Sequence, residues 1–124
     1  MDTMVENQIQ LRTEYMIEEG KIEEFKKLIH DISKLVETNE PYTTNYQFYL
    51  NKAETKCIVN ETYASSEAAL AHSKGVALQK ILPKILSIAK MTRIDVYGNP
   101  SEELQKAFTS LGAQTYNFFV GFSR

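Results

Sequence analysis

Residues 44–63 read TNYQFYLNKAETKCIVNETY, and this stretch decides the fold. Tyr46, Phe48 and Leu50 alternate with Asn45, Gln47, Tyr49 and Asn51, the period-two pattern of a strand with one face buried. Asn51 to Glu54 supplies a short turn. A second strand over 56–63 sets Cys57, Val59, Glu61 and Tyr63 on one face against Ile58, Asn60 and Thr62 on the other. Two strands joined this tightly form an antiparallel hairpin.

Working outward, residues 8–16 alternate as well, with Ile9, Leu11, Thr13 and Tyr15 on one side of a strand. After Gly20 the period lengthens. Ile22, Phe25, Leu28, Ile29, Ile32, Leu35 and Val36 follow helical spacing, and the helix is expected to stop near Asn39, before Pro41. Beyond the hairpin, Ser65 or Ser66 can cap a short helix to about Ser73, which Gly75 interrupts. Leu78, Ile81, Leu82, Ile85 and Ala89 mark another helix, with Pro83 predicting a kink or a junction of two pieces. Residues 91–98 read as a fourth strand. Asn99 as N-cap, Pro100 in the first turn and Glu102 completing a capping box predict a further helix, closed by Gly112. The final TYNFFVGFSR is expected to be a fifth strand.

The order β-α-β-β-α-α-β is that of an α+β, ferredoxin-like split βαβ layout: one antiparallel sheet with helices on one face. Residues 1–98 would form this core, and residues 99–124 a C-terminal helix-strand extension of the same domain. The opposite sheet face mixes polar residues with Tyr49, Ile58 and Tyr97, a composition that suits burial against a second copy in a homodimer.

Composition narrows the function classes. A chain of 124 residues with 43% hydrophobic and 24% charged residues can build one globular core. Acidic residues exceed basic ones by two, and the Lys and Arg residues are scattered, so no nucleic-acid partner is expected. No apolar run suggests a membrane partner, and MDTMVENQIQ lacks the pattern of a secretory signal, which makes a cytoplasmic location the expectation. A single cysteine excludes an internal disulfide, and two distant histidines give no metal-ligand spacing. There is no glycine-rich phosphate loop and no nucleophile elbow. No cofactor is expected.

The segment Gly20-Lys21-Ile22-Glu23-Glu24-Phe25 resembles the GKxEEF opening of the first helix in antibiotic biosynthesis monooxygenase (ABM) domains. Glu61-x-Tyr63, followed by Glu67-Ala68-x-Leu70-x-His72, resembles that family's ExY…EALxxH signature. The likeness covers roughly residues 8–98. It implies a dimeric α+β barrel, made of two ferredoxin-like sheets packed face to face. It also implies, for some members, cofactor-independent oxygenation of quinols or polycyclic aromatics, and for related ones haem degradation. Two departures stand out: Pro41 is followed by Tyr42 where the family often has Pro-Gly, and the chain has no tryptophan.

Glu61 shares a strand face with Cys57 and Val59, so its carboxylate must pair, accept hydrogen bonds or become neutral. His72 flanks Ala68 and Ala69, whose small side chains leave room beside an imidazole able to act as acid, base or haem ligand. These two are the candidate catalytic groups. Tyr63, Tyr46, Phe48 and Tyr15 would wall a pocket for an aromatic small molecule. The alternatives are structural roles for Glu61 and His72 in a non-catalytic dimeric module that binds a ligand or partner. His30 has no partner nearby in sequence.

Overall fold

The computed structural model describes residues 7–124; the reading of Met1–Glu6 as lacking a secretory signal lies outside them. Among the described residues nine elements follow in order: β1 (Ile9–Ile17), α1 (Ile22–Asn39), β2 (Thr43–Leu50), β3 (Lys56–Tyr63), α2 (Ser66–Ser73), α3 (Val76–Leu86), β4 (Ala89–Tyr97), α4 (Glu102–Ser110) and β5 (Gln114–Tyr116). The sheet runs β2-β3-β1-β4-β5. The 44–63 hairpin forms as expected, with Tyr46 opposite Glu61 and Phe48 opposite Val59. β1 lies at the centre, antiparallel to both β3 and β4.

Alternation makes one face of this sheet apolar, and helices cover it. α1 buries Phe25, Leu28, Ile32 and Val36, spaced three and four apart on one side. α3 adds Ala77, Ile81 and Ile85. A bulge between Glu14 and Tyr15 on the β1–β4 ladder absorbs one residue of β4. Met91 and Ile94 therefore both turn toward the helices, although simple alternation would send them to opposite faces. Thr92, the residue left over, donates its hydroxyl to the Glu14 carbonyl, 3.3 Å away.

Three expectations require correction. α4 starts two residues later than expected, because Ser101 rather than Asn99 is the N-cap: its hydroxyl accepts from the Leu104 N–H. Ser101 is also tied by its own N–H to the Ser66 hydroxyl, which joins the starts of α2 and α4. The fifth strand is only Gln114–Tyr116, not the whole C-terminal segment. The β2-β3-β1-β4 core is antiparallel as expected, but β5 runs parallel to β4, so the extension makes the five-stranded sheet mixed. The reason is the α4 crossover, which returns the chain to the same end of the sheet. Finally, α3 ends at Leu86, so Ala89, read as the last residue of its apolar stripe, instead opens β4; Pro83 lies inside this one helix and marks no junction, and the break at Gly75 falls where expected. The sheet of a single chain is not closed into a barrel. Among the described residues no helix is long and apolar enough to cross a membrane.

Candidate functional site

The apolar residues divide into two clusters. One gathers under α1 and α3, with Phe25, Ile32, Val59 and Ile85; the other gathers under α4, with Ile9, Tyr63, Leu104 and Phe108. Between them is a cavity of about 300 Å³, bounded by the helix-facing side of the sheet and by residues of α1, α2, α3 and α4. Pockets that hold small molecules start at about this volume. Leu86 and Leu111, both exposed, flank it on the helix side.

All six residues singled out in the sequence line this cavity: Glu61, His72, Tyr63, Tyr46, Phe48 and Tyr15. Strand alternation puts Tyr15, Tyr46, Phe48, Glu61 and Tyr63 on its floor. The α2 helix, capped by the Ser65 hydroxyl accepting from the Ala68 N–H, brings His72 over them from its last turn. The His72 ring centre lies 5.3 Å from that of Tyr63 and 5.5 Å from that of Tyr46. Tyr46 meets Phe48 edge-on at 5.2 Å. His30 is exposed on α1 and takes no part.

Polar groups in the cavity form one connected line. The Tyr63 hydroxyl donates to Glu61 Oε1 in a short hydrogen bond. The same oxygen faces His72 Nε2 at 3.5 Å, and His72 Nδ1 contacts Glu40 Oε1 at 2.6 Å. The Thr43 hydroxyl also donates to Glu40 Oε1, at 2.9 Å. Glu61 is 8% exposed and His72 6%. Burial raises the Glu61 carboxyl above the usual carboxylate range, against the opposing influence of His72 and the Tyr63 hydroxyl. Burial also raises the Tyr63 and Tyr46 phenols, and the nearby Glu61 charge adds to both shifts.

Glu40 escaped the sequence reading. It follows α1 directly and reads as loop, 32 residues before His72. One signal was available. A carboxylate at a helix C-terminus opposes the helix dipole, and the last turn of α1 contains no basic residue to offset it. Such a placement is not explained by local helix stability.

The fold is shared with known structures. MupZ from Pseudomonas fluorescens matches with a TM-score of 0.81 at 24% identity, over 95% of each chain. That coverage leaves only a few residues unmatched, so it takes in the α4–β5 extension. A Caulobacter crescentus CB15 protein, provisionally assigned as an antibiotic biosynthesis monooxygenase, matches with a TM-score of 0.70 at 22% identity, over 80% of this chain and 95% of that one. SnoaB, a cofactor-independent oxygenase from Streptomyces nogalater, matches with a TM-score of 0.66 at 5% identity, over 77% and 95%. No protein-family model and no curated protein matches the sequence. The chain thus has the ferredoxin-like α+β fold of ABM-type proteins. It is a small protein of that architecture, as the resemblance in its first helix and its Glu61–His72 segment implied.

Proposed function

We propose that this ABM-type protein binds an aromatic, quinol-like compound in the cavity and oxygenates it without a cofactor. The observation that supports this reading most is the pairing of an apolar, aromatic-walled cavity with the buried line His72–Glu61–Tyr63 at its polar end. His72 or Glu61 removes a proton from a phenolic hydroxyl, and the electron-rich anion then serves as the reductant of dioxygen. In the overall balance a ring C–H para to the phenolic oxygen becomes C=O while the phenol itself becomes a second C=O. One atom of O2 enters that carbon, and the other leaves as water with the hydrogens of that C–H and of the phenolic O–H. Tyr63 and Tyr46 orient the ring, and Phe48 and Tyr15 hold its apolar faces.

The working unit in this reading is a homodimer. Tyr49 and Tyr97 are half-exposed on the helix-free sheet face, and the C-terminal Phe119, Val120 and Phe122 are exposed beyond β5, apolar surface that a second copy would cover. Sizing at micromolar concentration should give twice the monomer mass; a monomer alone would remove the dimer.

Oxygen uptake is measured with a panel of dihydroxyaromatics. Turnover that is lost in both His72→Ala and Glu61→Gln is the expected result. Tight binding of the same compounds with no oxygen consumed would replace the enzyme by a non-catalytic binding module, the reading that the absence of tryptophan favours.

A further inference from the structure

We propose that Glu40 is a positioning residue: it keeps a proton on His72 Nδ1, so that Nε2 is the nitrogen left to take or give a proton at the cavity. Three observations carry this. Glu40 Oε1 lies 2.6 Å from Nδ1, and the same oxygen already accepts from the Thr43 hydroxyl at 2.9 Å. A carboxylate only accepts, so the proton on the 2.6 Å line belongs to the nitrogen. The Glu40 side chain is only 10% exposed, and its Oε2 is buried with no hydrogen-bond partner among the described residues, so the His72 Nδ1–H and the Thr43 hydroxyl are the groups that satisfy this carboxylate. On the other side of the ring, Nε2 is 3.5 Å from Glu61 Oε1, longer than a formed N–H···O bond. One ring nitrogen is tied and the other is not.

The chain makes room for this arrangement. Gly75, between α2 and α3, passes so close that a Cβ there would lie 3.3 Å from Glu40 Oε2. The groups that face the imidazole come from three elements: Glu40 after α1, Tyr46 from β2, and Glu61 with Tyr63 from β3. The two carboxylates stand on opposite sides of the ring, one facing each nitrogen. The arrangement of a carboxylate holding one imidazole nitrogen while the other faces the reacting group is a general way to fix a tautomer for acid–base work.

The consequence for turnover rests on the oxygenase reading above, but the tautomer itself does not, and it can be read with no substrate present. The experiment is a long-range 1H–15N correlation spectrum of the histidine rings in the full chain, recorded from about pH 5 to 9, with exposed His30 as the internal reference. In the wild type, the neutral form of His72 should carry its proton on Nδ1. Glu40→Gln retains an oxygen that can accept from Nδ1 and should keep that tautomer. Glu40→Ala should shift neutral His72 to the Nε2–H form, the tautomer that an unassisted imidazole prefers. A wild-type neutral form protonated at Nε2 would overturn the proposal. So would a His72 that stays doubly protonated over the whole range, or an Ala variant whose tautomer is unchanged. If the Ala variant does not fold, the wild-type and Gln spectra decide it. Failure of oxygen uptake would remove the oxygenase and leave these spectra unaffected.

Discussion

Replacing Tyr63 by Phe removes one hydroxyl from a site where almost nothing else changes. Tyr63 is 1% exposed, and its hydroxyl donates to Glu61 Oε1. A hydrogen bond to a charged acceptor contributes about 1.5–3 kcal/mol, and one to a neutral acceptor about 0.5–1.5 kcal/mol. The penalty therefore depends on the charge of Glu61. Burial raises the folded-state value of this carboxyl, and the Tyr63 hydroxyl acts the other way by favouring the ionised form. The advantage of Tyr over Phe should then be largest above the folded value of Glu61 and should shrink as the pH falls through it. At about 2.1 cal/mol/K of unfolding entropy per residue, 1 kcal/mol corresponds to about 4 °C in a chain of 124 residues. Tyr63→Phe should thus lower Tm by about 6–12 °C at alkaline pH and by clearly less at acid pH. Thermal melts of the wild type, Tyr63→Phe, Glu61→Gln and the double variant, taken at several pH values, measure this directly. An equal loss at all pH values, or a double variant whose change is the strict sum of the two single changes, would refute the reasoning.

Three further outcomes can be checked with the purified chain. Because the folded-state value of Glu61 is raised, its contribution to stability is full below the unfolded carboxylate value and is lost as the pH rises through the folded one; Glu61→Gln should match the wild type near pH 4 in urea unfolding and exceed it increasingly toward pH 8. Gly98→Ala should destabilise by about 1–3 kcal/mol from backbone conformation alone, since Gly98 has φ +130 and a Cβ there would lie 2.6 Å from the Gln8 carbonyl oxygen; a melt unchanged from wild type would contradict that geometry. Cys57 is fully buried and its thiol is pushed up to about 11, burial being the main cause, so a thiol reagent at pH 8 should react only as fast as the protein unfolds.

Much of the architecture was legible because each strand carries its face in its own alternation. Cys57, Val59, Glu61 and Tyr63 point where the period of two sends them, and Phe25, Leu28, Ile32 and Val36 do so at helical spacing. What was not legible came from contacts between distant segments. The α4 start was misplaced because Asn99-Pro100 and Ser101 both offer plausible caps, and only the tie from Ser101 to Ser66 across two helices selects the second. The last strand was overextended because Phe118, Phe119, Val120 and Phe122 look like strand residues. Strand pairing ends at Tyr116 all the same. In the site, an odd residue on an apolar face betrayed Glu61, and alanines beside it betrayed His72. Glu40 looked like any loop carboxylate, since its meaning lies entirely in a partner 32 residues away.

The short fifth strand has a consequence for access. α4 and its C-cap Leu111 supply Leu104, Ala107, Phe108 and Leu111 to the cavity wall, yet the helix is anchored at its far end by only three paired residues, on a single neighbour. The central strands of the floor, β1, β3 and β4, are each paired at eight or nine of their residues. Opening free energies follow such differences in anchorage. Amide hydrogens of α4 and β5 should exchange well before those of β1, β3 and β4, so the α4 side of the cavity should open while its floor and the α1–α3 side stay folded. A ligand too large for a cavity of about 300 Å³ would then be admitted by local opening of the α4 side.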